Sequence, residues 1–360
     1  TLCSLPGVSG REDAVRDYLR GMAQPVADRI ETDAMGNLMV FRKGRHSDKT
    51  LMLAAHMDEV GVIITGMTGD GYLKFDFVGG VDRRVVLGKQ VLVGEKKLPG
   101  IIGMKAFHLS PNREEVPPVS ALYLDIGAKS REEAEQLVTP GEIGVMIGEP
   151  VQLGGDLLKA KAIDDRLGCA VLAELMTGET PAVDTWFVFT TQEEVGTRGV
   201  GPAVWRIQPD AAIVVEGTTA ADLPGVPEHK TICHVGKGAV LPFMDRGTVY
   251  DRKLREKALT VATGTLNAQT GMTSGSLNPA GKFPVNGKDV EPSATMGGAN
   301  VRMYGEPNWV MDFTLTSLIQ GDTLADLVNM AEKLVDFPHD IAADANITYP
   351  TRDNPTPTAV

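Results

Sequence analysis

The chain has 360 residues, which at roughly 150 residues per domain fits about two domains. Hydrophobic residues at 42% and charged residues at 23% exclude wholesale disorder. The longest apolar runs, such as Leu51–Ala55 and Ala211–Val215, fall far short of the roughly 20 residues a membrane-spanning helix needs. Lys and Arg number 35 against 47 Asp and Glu, a formal charge of −12 with the cations scattered, so no basic face for nucleic acid is expected.

The opening TLCSLPGVSG has no charged-then-apolar leader pattern. Cys3, Cys169 and Cys233 lie far apart and form no CxxC. A reducing, cytoplasmic setting is expected, and neither a disulfide framework nor a thiolate zinc site.

In chain order, Ser9 and Glu12 have capping-box spacing ahead of a helix with Val15, Tyr18, Leu19 and Met22 on one face. Short strand-like runs follow, Thr50–Ala55 the strongest. From about Gly69 to Val151 helical periodicity fades, and β-branched runs alternate with Gly and Pro: Arg84–Val86, Val91–Val93, Ile101–Ile102 and Ala121–Ile126. One helix is signalled inside this block, by Ser130 and Glu133 at capping spacing with Ala134 and Leu137 behind them. From Lys159 helices and strands alternate again: Asp165–Met176 reads as helix, Thr185–Thr190 and Ala211–Val215 as buried strands. This predicts an α/β fold with one sheet covered by helices.

The expected organisation is a discontinuous α/β domain, residues 1–68 and 152–360, carrying an inserted β-rich domain at 69–151. Two or three domains in series is the alternative. Insertion is preferred because the residues suited to chemistry fall on both sides of the block, and a site must converge. Leu266–Asn300 is rich in Gly, Ser, Asn and Pro with little periodicity and reads as a long loop, functional or disordered. A helical pattern resumes at Leu324–Leu334, and the tail PTRDNPTPTAV reads as a disordered or surface-packed end.

Four motifs suit chemistry. His56-Met57-Asp58 follows the Thr50–Ala55 strand. An imidazole there could bind metal while Asp58 accepts its other ring N–H and fixes the tautomer, or it could be a surface histidine before a turn. Asp164-Asp165 precedes a helix. Two adjacent carboxylates repel unless a cation sits beside them, although an N-cap aspartate with a dipole-matched neighbour reads equally well. Glu193-Glu194 follows an apolar strand; one could bind metal while the other serves as general base, or the pair could be a solvated turn. Glu216 closes the Ala211–Val215 strand and could equally be an ordinary exposed glutamate.

Together the signals are stronger than apart. Three buried strands end in His-x-Asp, Glu-Glu and Glu, where open α/β sheets place their sites, and a helix begins with Asp-Asp. One imidazole and several carboxylates suit Zn²⁺, Co²⁺ or Mn²⁺. So much negative charge exceeds what one ion offsets, whereas two ions roughly 3.5–4 Å apart that share a carboxylate would balance it.

These residues resemble the M42 metallo-aminopeptidases, also called glutamyl aminopeptidases or "cellulase M" proteins. The matching stretches are PGVSGRED, AAHMDEVGVII, LPGIIGMKAFHL, LYLDIGAKSREEAEQLV, KAIDDRLGCAVLAEL, TTQEEVGTRGVGPA, VVEGTTAADLPG and VGKGAVLPFMDRGTVYD, in family order from about Pro6 to Asp251. The resemblance implies a helix-covered mixed sheet of the zinc-peptidase type, interrupted by a small β-rich dimerisation domain. It implies an aminopeptidase with two divalent metal ions per chain, acting on peptide substrates, and homo-oligomers from a dimer to a tetrahedral dodecamer. By the same likeness His56 and Glu216 would hold one metal, Asp164 would bridge, Glu194 would hold the other, Glu193 would be the general base and Asp58 would orient His56. The Asp164–Asp165 peptide would be cis.

The sequence departs from the family beyond about Lys253. Gly297-Gly298-Ala299-Asn300-Val301 stands where the family shows Gly-Gly-[Thr/Asn]-Asp-Ala-Gly, and Met311–Gly321 lacks the histidine that would be the fifth ligand. His339 or a carboxylate such as Asp312 could substitute. The missing histidine supports a rival reading, an assembly protein of the same family with an incomplete metal site and little or no activity. The intact Glu193-Glu194 pair speaks against it. A metal-dependent deacylase on the same scaffold is a third reading, and glycoside hydrolysis is disfavoured because glycosidases use two carboxylates and usually no metal pair.

Overall fold

The computed structural model describes residues 1–106, 116–154, 157–236, 238–245 and 248–265, with side chains to residue 259, and the backbone of strands at 268–272, 283–285, 288–290, 299–303 and 308–312. The first helix, α1 (Asp13–Ala23), buries Val15, Leu19 and Ala23. These sit four residues apart and form one row along the helix, which leaves Tyr18 on its flank, 39% exposed. Ser9 and Glu12 do not form the expected capping box; Glu12 occupies the N-cap position without a side-chain cap bond.

Next come β1 (Arg29–Thr32), β2 (Leu38–Arg42) and β3 (His46–His56). Then β4 (Gly61–Met67), β5 (Leu73–Val78), β6 (Gln90–Val93), β7 (Leu98–Met104), β8 (Leu122–Asp125) and β9 (Ile143–Met146) close a barrel in the order β4-β5-β8-β7-β6-β9. Period-two alternation fills its interior. Val62 and Ile64, Val91 and Val93, and Leu122 and Leu124 all pack inward in one cluster. The barrel begins at Gly61, ahead of the change in sequence texture at Gly69. Arg84–Val86, expected as an extended run, instead follows a 3-10 turn at Arg83–Val85, because the Asp82 carboxylate accepts the Arg84 amide at 2.9 Å. The capping signal at Ser130 holds: α2 (Arg131–Leu137) begins with Ser130 Oγ accepting the Glu133 amide at 3.2 Å.

Further along come β10 (Val151–Leu153), β11 (Leu157–Lys161), α3 (Ile163–Thr177), β12 (Val183–Thr190), α4 (Val200–Ile207), β13 (Ala211–Val214), β14 (Gly217–Thr219) and α5 (Arg252–Thr265). The main sheet runs β1-β2-β12-β3-β13. Strands β12, β3 and β13 are parallel, and β2 joins antiparallel, which makes the sheet mixed. Its two faces are separately covered. Leu51, Leu53 and Ala55 pack with Val15 and Leu19 of α1 and Leu172 and Met176 of α3. Met52, Ala54, Trp186 and Val188 pack with Ala203 of α4. The chain is therefore a mixed α/β protein with a helix-covered sheet.

The Leu266–Asn300 stretch, read as a loop, contains strands. Ala268–Met272 pairs in parallel with Ala239–Met244, Phe283–Val285 pairs with Lys288–Val290, and Ala299–Met303 continues beside β14. Partners distant in sequence set the first and last of these strands, so local periodicity carries no sign of them. Asn308–Asp312 pairs antiparallel with β11. The predicted helix at 324–334, His339 and the tail lie outside the described residues. Among the described residues no helix is long and apolar enough to cross a membrane.

Candidate metal centre

Because β12, β3 and β13 run parallel and in register, with Thr190 beside His56 and Val214 beside Ala54, their C-terminal ends share one edge of the sheet. There β3 delivers His56, the turn after β12 delivers Glu193 and Glu194, and the chain leaving β13 delivers Glu216. Asp164 arrives from the start of α3, across from them. His56 Nε2 lies 2.9 Å from Asp164 Oδ1 and 3.5 Å from Glu216 Oε1. One ligand atom from each of these three residues falls within 4.8 Å of the others. His56 is buried, while Asp164 and Glu216 keep 22% and 33% of their side chains exposed, so the cluster opens on one side.

The two residues of the Asp-Asp pair take different places. Asp164 and Asp165 have non-helical backbone angles, and the peptide between them is cis. Asp164 faces the histidine. Asp165 accepts the Gly168 amide at 2.9 Å, as an N-cap does, and the His56 amide at 3.2 Å. Gly168 is required there. A Cβ would lie 2.5 Å from both Asp165 carboxylate oxygens and 2.7 Å from the Val215 carbonyl.

Asp58 is fully buried. Its carboxylate accepts Ser9 Oγ at 2.6 Å, the Glu193 amide at 2.9 Å and the Glu194 amide at 3.1 Å. Its Oδ1 also faces His56 Nδ1 at 3.3 Å, an alignment too loose for a hydrogen bond, so Nδ1 is a buried nitrogen without a bonded partner. Asp58 thus touches both the imidazole and the Glu193–Glu194 turn. Glu194 lies beside the three-residue cluster and is not part of it.

The electrostatics show why these groups suit a cation. Six carboxyl groups, on Asp58, Asp164, Asp165, Glu193, Glu194 and Glu216, crowd one imidazole. Burial raises the pKa of Glu216 to about 8, helped by the Asp164 charge. Burial and Asp164 push Glu194 well up, burial with Asp164 and Asp58 raises Glu193, and burial with Glu216 raises Asp165 well above its ordinary value. Burial would lower His56, yet Glu216, Asp164 and Asp58 together hold it well above its usual range. Burial likewise opposes ionisation of Asp164 and Asp58, but contact with His56 keeps both below the usual carboxylate range. The close packing therefore disfavours the cluster's full negative charge. A divalent ion among the same oxygens and Nε2 would offset it directly, so an imidazole-carboxylate donor set of this kind fits such an ion.

Two groups of residues were not singled out as site components by the sequence reading. Glu59, Lys161 and Arg166 form a buried charge cluster behind the site. Lys161 Nζ lies 2.7 Å from both Glu59 oxygens, and Arg166 Nη2 lies 3.3 Å from Oε1. Ser9 and Glu12 bond toward the site instead of capping α1. The available signal was charged residues set among apolar neighbours, which pattern reading assigns to exposed faces.

A family model described as M42 glutamyl aminopeptidase matches residues 36–306, which carries past the Asp251 limit of the quoted motifs. The lysyl aminopeptidase of Pyrococcus furiosus is 32% identical over 266 residues, 71% of this chain and 75% of that protein. Among solved structures, an aminopeptidase from the archaeon Desulfurococcus kamchatkensis superposes with a TM-score of 0.79 at 29% identity, covering 94% of this chain and 93% of the other. The TET1 peptidase of Pyrococcus horikoshii, which can assemble into a tetrahedron or a large octahedral shell, superposes with a TM-score of 0.75 at 29% identity, covering 92% and 96%. With three quarters of its length matched by the family model and its sheet edge carrying the family's motifs, the chain belongs to the M42 aminopeptidase family.

Proposed function

We propose that this chain is a metal-dependent aminopeptidase that removes N-terminal residues from peptides at a two-ion site. The convergence of His56, Asp164 and Glu216 on one sheet edge, with Glu193 and Glu194 held beside them by Asp58, carries the reading. His56 and Glu216 would hold one ion, Glu194 the other, and Asp164 would lie between. Zn²⁺, Co²⁺ and Mn²⁺ all suit the donors. Bound there, divalent ions polarise a carbonyl and acidify a water.

The rest falls to the protein. Glu193 is the proton carrier. Its carboxylate takes a proton from the attacking water as the C–O bond forms. It then returns that proton to the leaving amine as the C–N bond breaks. Asp58 orients His56 on one side and holds the Glu193 amide on the other. The TET1 likeness supports a homo-oligomer, from a dimer to a tetrahedral dodecamer, with the β-rich barrel, whose first strand starts at Gly61, as its dimerising part. The free thiols of Cys3, Cys169 and Cys233 are in keeping with a reducing, cytoplasmic setting.

The test compares amino-acid anilides and short peptides with free and acetylated N-termini, alongside N-acyl amino acids. Cleavage confined to free N-termini is the expected outcome. Equal or faster hydrolysis of the N-acyl compounds would replace this reading with a deacylase.

A further inference from the structure

Ser9 and Glu12 are polar residues buried to 8% and 3% exposure just ahead of α1, and neither caps that helix. Ser9 Oγ donates to Asp58 Oδ2 at 2.6 Å, and the same oxygen accepts the Glu194 amide while Oδ1 accepts the Glu193 amide. Glu12 Oε1 accepts two amides, Gly10 at 2.7 Å and Gln192 at 3.1 Å. Three consecutive amides, Gln192 to Glu194, are therefore held by two buried carboxylates. One of these belongs to the N-terminal segment, and the other is bonded by it. The turn needs holding, because Gln192 has φ +55°, a left-handed conformation that residues other than glycine keep only where their surroundings fix it.

We propose that Ser9 and Glu12 are positioning residues for the Glu193 carboxylate: Glu12 through the Gln192 amide and Ser9 through Asp58, they fix the turn that carries it. The inference rests on the reading of Glu193 as proton carrier. A reacting group displaced by about 1 Å loses on the order of 100-fold in rate, so a residue that only sets a turn affects turnover strongly. Both amides reach the same Glu12 oxygen. Glu12→Gln therefore keeps an acceptor there, and Glu12→Ala removes it.

The experiment compares Glu12→Ala, Glu12→Gln and Ser9→Ala with the unaltered chain in three readouts. These are kcat and KM on an amino-acid anilide, bound metal, and amide hydrogen exchange of the 190–195 segment in the metal-free protein. Glu12→Ala should lower kcat roughly 10–100-fold with KM and metal content little changed, and should speed exchange in that segment. Glu12→Gln should restore most of both, and Ser9→Ala should show the same pattern at smaller size. Unchanged kcat or unchanged exchange in Glu12→Ala would overturn the proposal, as would a Glu12→Gln variant as impaired as Glu12→Ala. If Glu12→Ala does not fold, Ser9→Ala decides alone, and unaltered turnover and exchange there overturn the proposal. Glu193→Gln run alongside separates the two claims. Full activity in Glu193→Gln removes the proton-carrier reading, whereas an inactive Glu193→Gln beside a fully active Glu12→Ala removes only the positioning role.

Discussion

Glu193→Gln should lower kcat for amino-acid anilides by roughly 10²–10⁴-fold, the usual contribution of a positioned acid-base group, while bound metal and thermal stability stay near those of the unaltered chain. The amide is close in size to the carboxylate but neither takes nor returns a proton. The fold gives little reason for a stability change, since what anchors this turn is the backbone amide of Glu193 on Asp58, and the substitution leaves it in place. Relief of crowding works in the same direction: Glu193 is destabilised as an anion by burial and by Asp164 and Asp58, so its neutralisation removes repulsion. Turnover and kcat/KM should fall together, because the proton transfer belongs to the transition state. Turnover at the original rate would show that another group carries the proton.

Arg166→Leu should cost about 3–5 kcal/mol of folding stability, as breaking one partner of a buried ionic cluster does. Arg166 is fully buried, and its guanidinium donates to the carbonyls of Met57 at 2.7 Å, Leu2 at 2.7 Å and Leu5 at 3.1 Å, as well as to Glu59. Leucine roughly fills the space of the stem and leaves the Met57 carbonyl short of a donor, while the Leu2 carbonyl keeps the Leu5 amide and the Leu5 carbonyl keeps Lys161 Nζ. Lys161 remains on both Glu59 oxygens, which keeps the carboxylate paired and limits the loss. The damage should reach the metal centre as well, because Met57 lies between His56 and Asp58. Chemical denaturation of the two chains measures the difference, and a change below about 1 kcal/mol would mean that the cluster is no better than an exposed ion pair.

Much of the site was legible in the sequence because strand ends are legible. Thr50–Ala55, Thr185–Thr190 and Ala211–Val215 are apolar runs, and each is followed closely by carboxylates or an imidazole. Their parallel pairing brings those endings to one edge. The Asp-Asp pair resolved into one residue that faces the imidazole and one that caps, a division that only the local backbone decides. Ser9 and Glu12 were misread because their spacing matches a helix cap, while tertiary bonds to Asp58 and Gln192 outcompete the local ones. Arg84–Val86 went the same way, a β-branched run drawn into a turn by Asp82. Within Leu266–Asn300, two strands pair with distant partners and two form a short local hairpin, and no local period announces them.

The most direct test of the metal-centred account is elemental analysis of divalent metal in the purified chain, with anilide hydrolysis assayed before chelation, after chelation and after return of Zn²⁺, Co²⁺ or Mn²⁺. The account predicts about two ions per chain, loss of activity on chelation and its recovery on metal return, with His56→Ala retaining at most one ion. A chain that binds no divalent metal, or that cleaves anilides equally well after chelation, would contradict it.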